Sequence, residues 1–365
     1  MSPQSRAANK TSQKKVRVKR ATTNTHDDAI LARNRTNKKI DTRAAADTPL
    51  RARTRKPSVT IIGAGRLGSA LAIALEQRGY MIDALVATTR AHARSSARLL
   101  RTRPLALAAS ELDQLPDSRI IIFATPDDRI APTAARLAET FQQRTDDHAT
   151  SDKVKRARVA LHVSGALSSH ELAPLAARGF ATGSLHPLVS VSDPRSNAKD
   201  FAGAYFCVEG DAVATRAARS LVRALGGRAF TVAARDKVVY HASAVTASGH
   251  LVALFDLATD LLALCGLKRT AARRVLLPLA RGTINNLSHA RDNNEALTGP
   301  FARADSATVR RHLDMLATLD DPRDALEAYA LLGLRSLRLA RGRAADRSQI
   351  AEIARTLASF AKRKS

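Results

Sequence analysis

The stretch that decides the fold is Val59-Thr60-Ile61-Ile62-Gly63-Ala64-Gly65-Arg66-Leu67-Gly68. A short β-branched run precedes three glycines in the pattern Gly-x-Gly-x-x-Gly, and a segment rich in Ala and Leu follows. The run predicts a buried parallel strand, and the later segment predicts a helix. In such a unit Gly63 permits the tight turn, Gly65 lets a phosphate approach the backbone, and Gly68 lets helix and strand pack closely. The stretch therefore predicts a site for the diphosphate of a dinucleotide at the start of the helix.

The bulk composition narrows the class of protein. A chain of 365 residues is long enough for two domains with sizeable cores. The two cysteines, Cys207 and Cys265, lie in apolar stretches, so we expect neither a disulfide framework nor a metal site. A reducing, cytoplasmic location is predicted from this cysteine usage. We also expect no membrane, because no apolar run looks long enough to cross a bilayer.

The basic charge is concentrated at the N-terminus. Residues 1–57 hold 16 Lys or Arg against 4 Asp, nearly half of the net charge of +26. Residues 1–56 lack apolar periodicity and are predicted to be a disordered basic tail. Three interpretations stay open: a dispensable extension or a start codon placed too far upstream, an arm that binds polyanions weakly and non-specifically, and an organellar targeting peptide. The absence of tryptophan argues against a base-stacking surface.

The second strand bears on the choice of cofactor. From residue 58 strands and helices alternate, which predicts an α/β domain with a parallel, doubly wound sheet. The strand over 81–87 ends in Thr88, Thr89 and Arg90, with no acid, since Asp83 lies too early. NAD enzymes usually place an acid here for the ribose 2′-hydroxyl. Arg90 could instead pair with a 2′-phosphate, so NADP is predicted over NAD. The alternative is that Arg90 lies only on the solvated face of the next helix.

Later strand ends supply further candidate residues. Thr125 and Pro126 follow a strand over 120–124 and suit a wall under the dinucleotide. A helix is expected over 129–141, capped by the preceding acids, and a surface loop over 142–157. Ser164 follows the next strand, in which His162 is interpreted as a core histidine. His186 is held extended by the proline after it and is a candidate ligand contact, with a purely structural turn as the alternative.

After residue 234 the alternation stops and helical patterns follow. We expect one long helix over 236–264, then helices over 269–289, 306–319, 322–341 and 347–361. The predicted organisation is a tail of residues 1–56, a dinucleotide-binding domain of residues 57–234 and an all-α domain of residues 235–362. A long apolar helix at a domain junction is commonly buried or used in dimerisation. Lys237 and His241 are four residues apart on it, so they share a face and are candidates for a proton donor. The alternative is that Lys237 is a solvated residue at the helix start and His241 a packed histidine between the domains.

The order of motifs along the chain resembles one family. The motifs are Gly-Ala-Gly-Arg-Leu-Gly (63–68), Ala-Thr-Pro-Asp-Asp (124–128), His-Val-Ser-Gly-Ala (162–166), Ser-Leu-His-Pro-Leu (184–188), Asp-Lys-Val-Val-Tyr-His-Ala (236–242), Leu-Thr-Gly-Pro (297–300), Arg-x-Asp (303–305) and Arg-His-Leu (311–313). Together they resemble proteins that join a Rossmann-like domain to domain of unknown function 2520, over about residues 57–345. The chain is more distantly similar to pyrroline-5-carboxylate reductase, ketopantoate reductase and the 6-phosphogluconate dehydrogenase-like group.

The resemblance implies a Rossmann domain, an all-α C-terminal domain and an NAD(P)-dependent oxidoreductase. The substrate would be an unknown small metabolite in the cleft between the domains, and a homodimer would form through the helical domain. It implies that the cofactor is held by Gly63, Gly65, Arg66, Leu67 and Gly68, with Thr125 and Pro126 at its nicotinamide half. It implies a cleft lined by Ser164, Gly165, His186, Lys237, Tyr240 and His241, with Thr298, Arg303 and Asp305 entering from the helical domain.

Two positions depart from the family pattern. Gly249 stands on the long helix where the family usually has Asn, and Ala304 stands where Gly is usual. Either the substrate chemistry differs or the activity is reduced. These departures keep a second function open, that of an NADP(H)-binding sensor or scaffold dimer without turnover.

Overall fold

The computed structural model describes residues 56–147, 158–322, 324–340 and 347–361. The predicted basic tail, apart from its last residue, lies outside these ranges, as does most of the predicted loop over 142–157. The described residues belong to one compact unit. The boundary between domains at residue 234 therefore stays a prediction.

An eight-stranded sheet forms the first part of the described chain. Its strands are β1 (Val59–Ile62), β2 (Ile82–Ala87), β3 (Leu105–Ala108), β4 (Ile120–Phe123), β5 (Val159–His162), β6 (Ala181–Pro187), β7 (Tyr205–Gly210) and β8 (Arg228–Phe230). The strand order is β3-β2-β1-β4-β5-β6-β7-β8. The predicted α/β sheet is confirmed with one correction, because β7 runs antiparallel to β6. The short strand β3 was not predicted from the sequence.

Helices cover both faces of this sheet. They are α1 (Arg66–Gln77), α2 (Arg90–Ala97), α3 (Asp127–Asp147), α4 (Ala173–Ala176), α5 (Pro194–Asn197) and α6 (Ala212–Leu225). Leu71 and Leu75 of α1 belong to one hydrophobic core, and Ile130 and Leu137 of α3 belong to a second. Because β1 and β4 are buried along their whole length, their apolar side chains fill both cores.

Helix α3 differs from the prediction at both ends. It starts at Asp127 rather than 129 and continues to Asp147, into the stretch predicted as a loop. Asp127 and Asp128 therefore lie in its first turn, where the helix dipole favours negative charge. Asp127 and Asp128 therefore stabilise the start of α3 from within its first turn, whereas the prediction placed them before the helix.

The remainder of the described chain is helical, as predicted. Its helices are α7 (Lys237–Ala247), α8 (Gly249–Ala263), α9 (Arg269–His289), α10 (Asn293–Ala296), α11 (Gly299–Arg303), α12 (Ser306–Leu316), α13 (Ala325–Ala340) and α14 (Arg347–Ala361). A third core joins Val309 and Leu313 of α12 to Leu337 of α13 and Leu357 of α14.

The prediction of one long helix over 236–264 is wrong. The helix breaks at Ser248, whose φ of −122° and ψ of −71° lie outside the helical region. Gly249 follows, and glycine costs about 1 kcal/mol of helix stability relative to alanine. A Cβ on Gly249 would have only Val245 nearby, at 3.7 Å, so packing does not require a glycine at this position.

The expectation that no apolar run is long enough to cross a bilayer is also wrong. Among the described residues, the helical stretch Ala234–Ala263 meets that criterion by length and composition alone, with a mean hydropathy of 1.3. None of that apolar window is buried. Val239 of α7 is 74% exposed and Val252 of α8 is 69% exposed. These helices therefore carry an apolar face that the rest of the described chain leaves uncovered.

Candidate nucleotide site and catalytic cleft

The glycine turn after β1 has the geometry that a diphosphate needs. Gly63 has a φ of +109°, and a Cβ there would lie 2.4 Å from the carbonyl carbon of Ala124. A Cβ on Gly68 would lie 1.9 Å from the carbonyl oxygen of Gly63. Gly65 instead faces open space, with no atom within 4 Å of its Cβ position. No side chain caps α1, so its first N–H groups are free to bind an anion.

The two predicted residues between these glycines have different surroundings. Arg66 is exposed, so its guanidinium is free to reach a bound phosphate. Leu67 is partly buried and packs against the core that α1 shares with the sheet. Its side chain supports the turn, and the cofactor would meet its backbone.

Thr125 and Pro126 follow β4 directly beside this turn. The Thr125 hydroxyl is buried and has no hydrogen-bond partner. Within the ranges that the structure describes, it shares this condition only with Nδ1 of His241. A buried polar atom left unpaired costs about 1–3 kcal/mol, which a polar group of a ligand would offset. The turn and this hydroxyl together fit a dinucleotide that lies across the ends of β1 and β4.

The end of β2 holds the three residues predicted for the adenosine ribose. Thr88 is exposed, and the Thr89 hydroxyl caps α2 by accepting the N–H of His92. Arg90 pairs with Glu111, its Nη2 lying 2.6 Å from Oε1. The inference that no acid stands here is therefore wrong, because Glu111 reaches this end from the segment after β3. Arg90 is also more than a solvated surface residue.

His162 at the end of β5 is a core histidine, as predicted. It is fully buried, its Nδ1 accepts the N–H of Ser164, and its Nε2 lies 2.9 Å from the carbonyl oxygen of Ser168. Burial lowers the pKa of His162 to about 4, so the ring is neutral and donates from Nε2. The Ser164 hydroxyl accepts the N–H groups of Ala166 and Leu167. These are the contacts of a turn, and they lend no support to a catalytic role for Ser164.

Lys237 is the first residue of α7 and is fully buried. Its Nζ donates to the Ser184 hydroxyl at 2.7 Å and to the carbonyl oxygen of Ser164 at 3.3 Å. Burial lowers the pKa of Lys237, while Cys207 and Glu209 act in the opposite direction. Lys237 therefore links α7 to the turn after β5 and to the middle of β6.

Glu209 on β7 is a residue of this network that the sequence did not indicate. Its carboxylate accepts the Ser184 hydroxyl at 3.3 Å and binds Ser169 through both the backbone N–H and the hydroxyl. Ser184 thus lies between Lys237 and Glu209. The antiparallel pairing of Ser184 with Glu209 creates this link, and the predicted all-parallel sheet did not contain it.

His186, Tyr240 and His241 meet around Gly165. The rings of His186 and His241 lie 5.5 Å apart between centroids, at an interplanar angle of 82°. A Cβ on Gly165 would lie 2.4 Å from Nδ1 of His241 and 2.9 Å from Nε2 of His186. Both imidazole edges therefore converge on the Cα of Gly165. The residues predicted for the cleft from β6 and α7 do come together.

The protonation of this group follows from burial. Desolvation, with His241 and Lys237 nearby, lowers the pKa of His186 to about 4. Desolvation also raises the pKa of Tyr240. The Tyr240 hydroxyl and Nδ1 of His186 form a hydrogen bond of 2.6 Å, whose direction depends on the tautomer of His186. Nε2 of His186 faces Gly165.

A cavity of about 500 Å³ opens beside this group. It is lined by His186, Pro187, Leu188, Val189, Ser190, Tyr240, His241, Ser243, Ala244, Val245, Ala247, Ser248 and Gly249. No acidic residue is among the lining residues. In the described ranges, no three His, Cys, Asp or Glu side chains gather as metal ligands.

The residues predicted to enter from the helical domain do not line this cavity within one chain. Thr298 and Arg303 are exposed, and Asp305 caps α12 by accepting the N–H of Thr308 at 3.0 Å. Ala304 is buried with a φ of +54°, a left-handed conformation that glycine adopts without strain. The family's glycine at this position therefore has a conformational explanation.

Two models of known protein families match successive parts of the chain. Residues 43–187 match the model of a Rossmann-like domain, and residues 204–336 match the model of domain of unknown function 2520. The chain belongs to the family that joins these two domains. No curated protein sequence matches it.

Solved structures share the fold of this Rossmann-like and DUF2520 chain. A protein of Bacteroides fragilis, provisionally named as an NADP oxidoreductase, has a TM-score of 0.61 and 22% identity, over 78% of this chain and 99% of its own. A protein of Thermotoga maritima has a TM-score of 0.58 and 21% identity, over 78% of this chain and 98% of its own. An imine reductase of Myxococcus stipitatus in complex with NADP+ has a TM-score of 0.52 and 18% identity, over 84% of this chain and all of its own.

Proposed function

We propose that this chain is an NADP-dependent oxidoreductase that acts on a small metabolite in the cavity beside Gly165. The observation that supports the proposal is the convergence of the His186 and His241 rings on Gly165. Gly165 follows β5, at the same edge of the parallel sheet as the open glycine turn after β1. The similarity to reductases that bind nicotinamide cofactors supports an oxidoreductase. The substrate and the choice of NADP over NAD are part of the proposal.

The residues would divide the work as follows. Gly63, Gly65 and Gly68 with the N-terminus of α1 hold the diphosphate, and Thr125 pairs its hydroxyl with the nicotinamide half. A bound nicotinamide supplies hydride transfer, and the protein supplies orientation and a proton. His241 is the favoured proton donor, because its buried Nδ1 has no partner and its ring lines the cavity.

Lys237 is the weaker candidate for the proton donor. Its Nζ already donates to Ser184 and Ser164, and Lys237 is absent from the cavity wall. We propose that Lys237 positions α7 against the sheet, so that His241 stays beside Gly165. His186 would contact a polar group of the substrate from the cavity wall.

A titration with NADPH tests the cofactor site directly. Because the chain has no tryptophan, nicotinamide fluorescence can be followed with little protein emission. NADPH oxidation is then followed by absorbance with a panel of 2-oxo acids, β-keto acids and imines. We expect His241→Ala to lose turnover and keep NADPH binding. The control is His250→Ala, which changes an exposed histidine that does not line the cavity. Full turnover by His241→Ala would exclude His241 as the donor.

Gly249 favours a second candidate function, an NADP(H) sensor or scaffold without turnover. Gly249 lines the cavity but offers no side chain to a substrate, where the family usually has Asn. Tight NADPH binding with no oxidation across the whole panel supports this function. Turnover of any member of the panel excludes it.

We further propose a homodimer through the helical region. Val238, Val239 and Val252 on α7 and α8, with Val275 and Leu279 on α9, are each more than half exposed. Exposed apolar residues in such number mark an interaction surface. A second copy would cover them and could bring Arg303 or Asp305 to the partner's cavity. Weak polyanion binding by residues 1–56 is a separate proposal, tested by deleting that segment.

A further inference from the structure

The ion pair at the end of β2 lies where the two nicotinamide cofactors differ. Arg90 Nε donates to Glu111 Oε2 at 3.0 Å, and Nη2 lies 2.6 Å from Oε1, so the pair is bidentate. Glu111 also accepts the N–H of Ala108 at 2.7 Å, which fixes its carboxylate to the last residue of β3. The pair joins residues that are 21 positions apart in the chain. It is partly exposed, with 41% of the Arg90 side chain accessible.

The fixed carboxylate changes what Arg90 can offer a cofactor. A guanidinium binds phosphate through the same two-pronged geometry that it uses for carboxylate. Glu111 occupies the Nε and Nη2 edge of the Arg90 guanidinium, and Nη2 also donates to Oε1 of Gln114 at 3.4 Å. The backbone N–H of Ala108 holds the Glu111 carboxylate in place. A 2′-phosphate that pairs with Arg90 must therefore displace these contacts or use the remaining Nη1 group, and in either case it lies near the negative charge of Glu111. A ribose 2′-hydroxyl meets no such repulsion and can donate to a carboxylate.

We propose that Glu111 is a specificity-determining residue, which holds Arg90 and narrows the preference of this site for NADP(H) over NAD(H). The inference rests on the proposed function, because it assumes a nicotinamide dinucleotide in the glycine turn. Arg66 at the turn and Arg94 on α2 are both exposed and keep the surroundings cationic. NADPH therefore stays the favoured cofactor in the natural chain, by a margin that Glu111 reduces.

The test compares dissociation constants for NADPH and NADH, measured by nicotinamide fluorescence at one ionic strength. In Glu111→Gln the side-chain amide oxygen can still accept the N–H of Ala108, while the negative charge is lost. We expect NADPH to bind roughly tenfold more tightly, the scale of one charge-assisted hydrogen bond, and NADH to change little. In Arg90→Ala we expect weaker NADPH binding and little change for NADH.

The matched control is Glu76→Gln. Glu76 also accepts backbone N–H groups, those of Arg101 and Thr102, but it lies near the C-terminal end of α1, away from the glycine turn. We expect its NADPH-to-NADH ratio to equal that of the natural chain.

Two results overturn the proposal. One is a folded Glu111→Gln variant whose NADPH-to-NADH ratio equals that of the natural chain. The other is an Arg90→Ala variant with unchanged NADPH affinity, which decides the matter if Glu111→Gln does not fold. If the natural chain binds neither NADPH nor NADH, the proposed function fails instead, so the two failures are distinguishable.

Discussion

Burial, more than the charge of neighbouring groups, determines the protonation states of the side chains around Gly165. Desolvation keeps His186 neutral and keeps Tyr240 a phenol, and the two side chains share a hydrogen bond of 2.6 Å. A glycine is required at 165, because His186 and His241 occupy the space that a side chain would fill. The candidate site thus depends on the absence of a side chain at Gly165 as much as on the two imidazoles.

Gly165→Ala tests this dependence. The new methyl would overlap Nδ1 of His241, so we expect the imidazoles to separate and the free energy of unfolding to fall by about 1–3 kcal/mol. NADPH binding should persist, since the glycine turn is untouched, while any turnover should be lost. Urea unfolding and nicotinamide fluorescence measure the two effects. Gly282→Ala is the control, because no atom lies within 4 Å of its Cβ position. Equal stability and turnover for both variants would contradict the assignment.

The buried histidines predict a dependence of stability on pH. His162 and His186 have a pKa of about 4 in the folded chain, below the unfolded value of 6.5. Between these values the unfolded chain binds more protons, so stability is full above pH 6.5 and falls as the pH drops toward 4. We expect a loss on the order of 2 kcal/mol or more, measured by urea unfolding across this range.

His162→Gln isolates the contribution of one ring. Glutamine can accept from the N–H of Ser164 and donate to the carbonyl of Ser168 without titrating. We expect this variant to lose part of the pH dependence and keep most of its stability at pH 7.5. An identical pH profile in the variant and the natural chain would show that His162 does not contribute.

Among the elements, the junction between α7 and α8 matters most for the cavity. Ser248 has a non-helical backbone conformation and α8 begins at Gly249. Both residues line the cavity. A continuous helix would place these residues on a different path from the one seen. The departure from the family pattern at Gly249 therefore has a structural consequence as well as a chemical one.

A pair of glycine substitutions tests the junction. Gly249 has an ordinary φ and space for a Cβ, so Gly249→Ala should raise the free energy of unfolding by about 0.4–1 kcal/mol. Gly266 after α8 has equal space but a φ of +89°, so Gly266→Ala should lower it by about 1–2 kcal/mol. Urea unfolding compares the two variants. Effects of the same sign would contradict the conformations seen at these two positions.

At the scale of the molecule, the largest question of association concerns the exposed apolar face of α7, α8 and α9. Val239 is 74% exposed and Leu279 is 69% exposed, which is unusual for a single chain in water. If a second copy covers this face, the double variant Val239→Asp with Leu279→Asp should convert a dimer to a monomer. Light scattering after size exclusion measures the mass of each.

The control for this prediction is Leu331→Asp. Leu331 on α13 is also 69% exposed, so the control places one aspartate at a matched apolar position on another helix. We expect the control to remain a dimer. A natural chain that is monomeric, and that sediments with phosphatidylcholine vesicles instead, would show that lipid rather than a second copy covers the face.

The local sequence was sufficient to predict the Rossmann-like fold and the glycine turn after β1. Strand and helix periods are properties of short segments, and the spacing of the three glycines is visible within one such segment. The atoms that require a glycine at position 63, however, belong to Ala124, which is distant in the sequence. The place of His162 inside an apolar strand indicated a core histidine. Even the shared face of Lys237 and His241 followed from their spacing on one helix.

Tertiary structure alone decided the contacts between distant segments. Because β7 runs antiparallel to β6, Glu209 lies beside Ser184 and thus near Lys237. The short strand β3 brings Glu111 to Arg90. The break at Ser248 and the convergence of His186 and His241 on Gly165 are likewise absent from any local pattern. The physical reason is that periodicity predicts which residues are buried, whereas strand order, strand direction and helix breaks determine which buried and polar groups meet.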